Sequence, residues 1–280
     1  MKSFNFSSSF FNVADTLECG QTFRFTPYKQ GYLVFSQNKC CFAYTEGDLT
    51  TITCEDADYN YFYNYFDLAQ DYSKIYQSAL SYNVQVLRDS AEVGKGIRIL
   101  NQNLFEVAIS FIISQNNNIP RIKSIIEKLC TQLGEQKLFM DTYYYTFPTI
   151  ESFLTKPLSF FEQVGLGYRA KYIYNFIQSL ASGLNLLAFC NLSTPQLKKQ
   201  LISIYGIGPK VADCITLFGY HRGDSFPVDT WIYKLYVEDF NGSLTSREKV
   251  AQYFVSKFEN NAGYFQQYLF YYKRLKEKSI

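Results

Sequence analysis

The chain has 280 residues, 27 Lys+Arg against 25 Asp+Glu, a formal charge of +2 and 47% hydrophobic residues. At roughly 100–200 residues per domain that is one large domain or two packed closely, with enough apolar content for a core, which excludes global disorder. The near-neutral charge says nothing of a polyanionic partner, and no apolar run is long enough to span a membrane or resembles a secretory signal, so an intracellular protein is expected.

The first elements read as β. Gln21–Tyr28, Tyr32–Ser36, Cys40–Thr45 and Leu49–Cys54 are rich in Thr, Tyr, Phe, Val and Ile, and Pro27, Gly31, Asn38 and Gly47 punctuate them. Their spacing suits an antiparallel meander. Tyr59–Phe66, aromatic at nearly every position, predicts a helix pressed onto that sheet, with a stacking surface as the alternative. From there on the pattern is helical. Leu104–Ile113 is apolar around most of its circumference, as in a buried central helix. After the polar string Gln115-Asn116-Asn117-Asn118, Pro120 starts a helix through Leu133. Leu192–Tyr205 opens with Thr194 as the expected N-cap and Pro195 at the first helical position, and Leu197, Leu201, Ile204 and Tyr205 share a face. Val211, Cys214, Ile215 and Phe218 form the stripe of the next helix, Asp229 caps another, and Tyr264–Lys276 is the last. The boundary between the two regions is expected at 97/98, giving 1–97 and 98–280.

Charge follows this division. Residues 1–70 hold 4 basic and 8 acidic side chains, net −4; the remainder hold 23 and 17, net +6. The seven cysteines form no C-x-x-C pair and His221 is the only histidine, so reduced thiols and no metal or other cofactor are expected. The 25 Tyr, 26 Phe and one Trp are read first as core, with stacking on bases or sugars as the sharper alternative.

The chemistry concentrates between Leu201 and Tyr236. Tyr205-Gly206-Ile207-Gly208-Pro209-Lys210 joins two helices, a hairpin expected at about 194–220. Two glycines allow a tight turn, and the following helix start offers free N–H groups to a phosphate. A plain packing joint is the local alternative. Lys210 falls in the first turn of a helix, where the dipole disfavours a cation and partial burial favours the neutral amine, a poor place for stability and a good one for a nucleophile. Asp229 follows nineteen residues later. Alone it reads as a cap; beside an amine it can also stabilise a developing cation or take a proton.

The hairpin, Lys210 and Pro227-Val228-Asp229 resemble the helix–hairpin–helix, Gly/Pro-rich, aspartate superfamily of base-excision DNA glycosylases. Four more blocks, in the same order along the chain, are similar to the 8-oxoguanine DNA glycosylase/AP lyase family: Cys19–Arg24, Gln115–Ile122, Gly165–Tyr172 and Ala262–Phe270. The resemblance runs from about residue 17 to 272. It implies an α+β fold: an N-terminal antiparallel β domain, a TBP-like half-sheet, followed by an all-α helix–hairpin–helix glycosylase domain. It also implies a bifunctional enzyme that excises 8-oxoguanine opposite cytosine in duplex DNA through a lysine Schiff base and nicks the strand by β-elimination.

The resemblance assigns roles. Lys210 and Asp229 are the catalytic pair. Gly20, by its carbonyl, Cys214, Gln266 and Phe270 form the lesion-base pocket. Asn116 fills the gap left in the duplex, Tyr168 wedges into the stack, Arg121 and Arg169 read the orphaned cytosine, and Gly206 and Gly208 hold the hairpin phosphate. Local alternatives stand beside these: a turn glycine at Gly20, core packing for Cys214 and Phe270, helix capping for the asparagine run, surface ion pairs for the arginines. One departure is Trp231, two residues after Asp229, where animal members carry a phosphate-contacting histidine; an indole N–H still donates but never becomes cationic. The resemblance further implies a compact bacterial-type form in the cytoplasm or nucleoid, acting as a monomer on DNA, with no membrane partner. An enzyme for another lesion, such as an oxidised pyrimidine, and a hairpin module that only binds DNA are the rival readings.

Overall fold

A computed structural model describes residues 1–278. It opens with a five-stranded antiparallel sheet in the order β1-β5-β4-β3-β2, formed by β1 (Lys2–Ser7), β2 (Phe25–Tyr28), β3 (Gly31–Ser36), β4 (Lys39–Glu46) and β5 (Leu49–Cys54). The meander is as expected, with β1 added at one edge: Phe4 pairs with Ile52 and Phe6 with Thr50. The strand expected from Gln21 begins only at Phe25. Gln21 is buried and spends its side chain on the Thr16 and Arg98 carbonyls and the Leu100 N–H, so the backbone there is held by a side chain instead of a ladder.

Helices α1 (Val13–Glu18) and α2 (Tyr59–Tyr65) cover one face of the sheet, where Phe62, Tyr65 and Phe66 pack with Val34, Cys41 and Ile52. Then come α3 (Tyr72–Ser81), α4 (Gln85–Gly94), α5 (Leu104–Ser114) and α6 (Ile119–Leu133). The helical region carries one addition to the expected pattern, a hairpin of β6 (Gln136–Phe139) and β7 (Thr142–Tyr145). Phe139 and Tyr144 pack on Leu33, Cys40 and Phe42 across the sheet's second face, and Tyr144 stacks on Phe35 at 5.3 Å.

The chain continues through α7 (Ile150–Leu154), α8 (Leu158–Phe161), α9 (Arg169–Ala181), α10 (Thr194–Ile202), α11 (Pro209–Phe218), α12 (Thr230–Asp239), α13 (Arg247–Phe258) and α14 (Ala262–Lys278). Helix α5 is buried along most of its length, in a core shared with α6, α9, α10 and α11. A second core joins α3 and α4 to α12, α13 and α14. Two local expectations are corrected around α10. Its N-cap is Ser193, not Thr194, because Ser193 closes a capping box with Gln196 while the Thr194 hydroxyl donates to Asp224 at 2.8 Å. The helix also stops at Ile202, so Tyr205 is 59% exposed instead of joining the apolar face. Among the described residues no helix is long and apolar enough to cross a membrane.

Candidate active site

The hairpin is α10, a turn and α11. Gly206 holds φ +89°, the left-handed region, and a Cβ there would sit 2.5 Å from the Tyr172 ring. Its glycine is therefore required from inside the protein. Gly208, the N-cap of α11, has an ordinary φ of −88°, and a Cβ there would meet nothing within 4 Å. The fold itself leaves a side chain at 208 all the room it needs.

Lys210 stands in the first turn of α11, half-buried, with its Nζ 5.7 Å from the centre of the Phe111 ring. One turn on, Cys214 is buried, and burial pushes its thiol up to about 11 while the neighbouring Lys210 ammonium pulls it down. It is thus a neutral, polarisable surface at neutral pH. Asp229 caps α12, accepting from the Ile232 N–H at 2.9 Å. Burial raises its carboxyl above the ordinary 3.8; the Ile232 N–H and the Lys210 ammonium oppose that rise. The amine and the carboxylate expected from the sequence do come together.

Helix α14 brings the opposite wall. Gln266 is buried and its Nε2 donates to the Pro227 carbonyl at 3.1 Å; Gln267 Nε2 donates to Gln266 Oε1 at 2.7 Å. Phe270, one turn after Gln266, touches Gly20: a Cβ on Gly20 would lie 3.2 Å from the ring. Gly20 also holds φ +88°, so both its backbone and its neighbour require glycine. Gly20, Lys210, Cys214, Asp229, Gln266, Gln267 and Phe270 line one narrow slot of about 50 Å³, with the Phe270 ring beside Gly20. It abuts a cleft of about 600 Å³, lined also by Asn117, Asn118, Trp231 and Arg274.

Beyond the cleft lies the turn between α5 and α6. Asn116 is exposed with φ +45°, a conformation asparagine tolerates better than most residues. Arg169 is 4% exposed and grips this turn: Nε donates to Gln115 O at 2.7 Å, Nη2 to Asn116 O at 2.7 Å and to Gln115 O, and Nη1 to Leu166 O at 3.3 Å. Four of its five N–H groups are committed, leaving one. The surface ion pair considered for it does not form. The Tyr168 ring lies 4.4 Å from the Arg169 guanidinium, and its hydroxyl also donates to Gln115 O, at 3.2 Å. Arg121 is exposed, with one bond from Nη2 to Gly165 O at 3.3 Å. Sequence reasoning missed Gln115, the hub of this region: its carbonyl takes Tyr168 and Arg169, and its Nε2 reaches Gly206 O at 2.9 Å, tying the turn to the hairpin. It missed Gln267 and Arg274 as well. Their helical spacing from Gln266 and Phe270 was the available signal.

Fold and site together define the class: a helix–hairpin–helix glycosylase architecture in which a half-sheet and a helical bundle meet at an amine–carboxylate slot. Residues 3–107 match the family described as 8-oxoguanine DNA glycosylase, N-terminal domain, and residues 109–260 the HhH-GPD superfamily of base excision DNA repair proteins. The chain belongs to the 8-oxoguanine DNA glycosylase family of that superfamily. It is 35% identical over 159 residues to the N-glycosylase/DNA lyase of Saccharomyces cerevisiae, a match that covers 52% of this chain and only 42% of the yeast protein. The 8-oxoguanine glycosylase/lyase of Clostridium acetobutylicum, solved with double-stranded DNA containing cytosine opposite 8-oxoguanine, superposes with a TM-score of 0.91 at 35% identity, covering 97% of this chain and 94% of that one. The structure of MBOgg1 with a low-affinity DNA ligand gives a TM-score of 0.93 at 34% identity over 99% of this chain and 97% of that one.

Proposed function

We propose that the protein excises 8-oxoguanine from duplex DNA, opposite cytosine, and nicks the strand at the resulting site. The observation that carries this reading is the convergence of Gly20, Lys210, Cys214, Asp229, Gln266 and Phe270 on one slot from three separate parts of the chain. The flipped base enters that slot after the Phe270 ring moves off Gly20, and then lies between Phe270 and Cys214. The N7–H that distinguishes 8-oxoguanine from guanine donates to the Gly20 carbonyl, and Gln266 reads the Watson–Crick edge.

The Asp229 carboxylate stabilises positive charge on the sugar as the C1′–N9 bond lengthens. After its ammonium gives a proton to water, the Lys210 amine forms a bond to C1′, the N9 electron pair leaves with the base, and the base takes a proton. That nitrogen then passes a proton to the sugar ring oxygen O4′, the C1′–O4′ bond breaks, and a Schiff base remains at C1′. Removal of a C2′ proton then breaks the C3′–O3′ bond, and the downstream strand leaves with its 5′-phosphate. Asn116 occupies the gap in the duplex, Tyr168 wedges beside it, and Arg121 with the remaining donor of Arg169 reads the orphaned cytosine. The amides at the start of α11 hold a backbone phosphate, and the open space over Gly208 lets it approach. The hairpin residue Gly206 keeps that turn tight. Trp231 lines the cleft, where its indole N–H serves as a neutral donor.

The test is borohydride trapping on an 8-oxoguanine:cytosine duplex. A covalent adduct is expected with the unaltered protein and none with Lys210→Gln. An adduct that survives Lys210→Gln, or no adduct with either, overturns the lyase reading.

A further inference from the structure

We infer that Gln267 is a second reader of the base edge, one that demands the 2-amino group of a guanine-type lesion; this rests on the proposed excision of 8-oxoguanine. Gln267 lines the slot beside Gln266, and the residue is only 3% exposed. Its Oε1 has no hydrogen-bond partner. A buried carbonyl oxygen left unsatisfied is costly, and such groups in folded proteins call for an explanation.

The orientation of both amides follows from one carbonyl. Pro227 O accepts only, so Gln266 must turn its Nε2 toward it, at 3.1 Å. That leaves Gln266 Oε1 facing Gln267, which must answer with Nε2, at 2.7 Å. The Gln267 oxygen is then the end of the relay, and flipping either amide would set two acceptors or two donors against each other. So oriented, the two amides carry, in order along the relay, a spare N–H on Gln266, a spare lone pair on Gln266 Oε1 and the unpartnered Gln267 Oε1. This donor–acceptor–acceptor series is the complement of the guanine edge, which runs acceptor O6, donor N1–H and donor N2–H₂. Two side-chain amides in sequence reproduce the hydrogen-bonding face of cytosine. A base that lacks the 2-amino group leaves Gln267 Oε1 unpaired in the complex.

The experiment compares single-turnover excision of 8-oxoguanine and of 8-oxohypoxanthine, which differs only by the missing 2-amino group, each opposite cytosine. The unaltered protein is expected to favour 8-oxoguanine by about tenfold, the worth of one well-placed hydrogen bond. Gln267→Met, close in shape but without the acceptor, should lower excision of 8-oxoguanine and bring the ratio close to one. Gln267→Ala is the second variant should the first fail to fold. A purely structural role for Gln267 would slow both substrates equally, and an unchanged ratio in a folded variant overturns the inference. Failure of the unaltered protein to excise either base removes the underlying function and the inference with it. Excision of both at equal rates by the unaltered protein overturns the inference alone.

Discussion

The two banks of the cleft are built on opposite plans. On the slot side, polar groups are left with capacity to spare: Gln267 Oε1 has no partner, Lys210 faces an aromatic ring, and the Asp229 carboxyl is held above its ordinary range by burial. On the turn side almost everything is already spent. Arg169 and the Tyr168 hydroxyl bind the carbonyls around Gln115 and Asn116, and Gln115 ties that turn to the hairpin. Unsatisfied groups await a ligand that satisfies them, whereas a saturated network is rigid before any ligand arrives. The proposed chemistry falls where the structure is incomplete, and the proposed wedge where it is complete.

The largest effect should come from the slot. Asp229→Asn removes charge stabilisation at the sugar and should slow excision by about 10²–10⁴-fold with the fold retained; single-turnover kinetics and circular dichroism measure the two halves. The same carboxyl should titrate above 3.8, since burial disfavours its charged form. Its loss of charge on acidification then begins at higher pH than for an exposed aspartate. A carboxyl resonance followed by NMR with a midpoint at or below 3.8 would contradict this.

Arg169→Ala tests the saturated bank. It strips three carbonyls of a buried cation and should lower stability by about 3 kcal/mol, read from denaturant unfolding, with activity falling as the Asn116 turn loosens. A stability unchanged by this substitution would undo the contrast between the banks. The hairpin glycines sharpen it further. Gly206→Ala meets Tyr172 and a positive φ, and should cost about 1–3 kcal/mol. Gly208→Ser should leave stability intact, since serine caps a helix well, yet weaken binding to duplex DNA measured by fluorescence anisotropy. The smallest effect is expected for exposed Arg121→Ala: a relaxed preference for cytosine opposite the lesion, with little change in stability, read across duplexes carrying each of the four opposite bases.

The sequence was most informative where one local rule decided the outcome. Asp229 as a cap, the Val211–Cys214–Ile215–Phe218 stripe and the strands from Gly31 to Cys54 follow from capping and periodicity alone. Arg169 is the counterexample. Its neighbours look like a surface loop, and two of the three carbonyls that hold it lie more than fifty residues away on a turn whose shape no local pattern announces. The β6–β7 hairpin escaped for a related reason. Its strands are only four residues each, and what makes them strands is the sheet face they cover. Tyr205 shows the reverse error: its spacing continued a helical face, but the turn into Gly206 carried it out to solvent beside Tyr172.

That hairpin has a wider consequence. It reaches back from the helical region to seal the sheet, just as α14 returns to pack Tyr268 against Gly94 of α4. The first half of the molecule is thus buttoned down at two places by pieces of the second, and the slot lies along the seam. A seam fastened at both ends does not gape like a hinge. On the reading proposed above, admission to it falls to something as small as one phenyl ring, Phe270 beside Gly20, which moves on the timescale of a side chain and not of a domain.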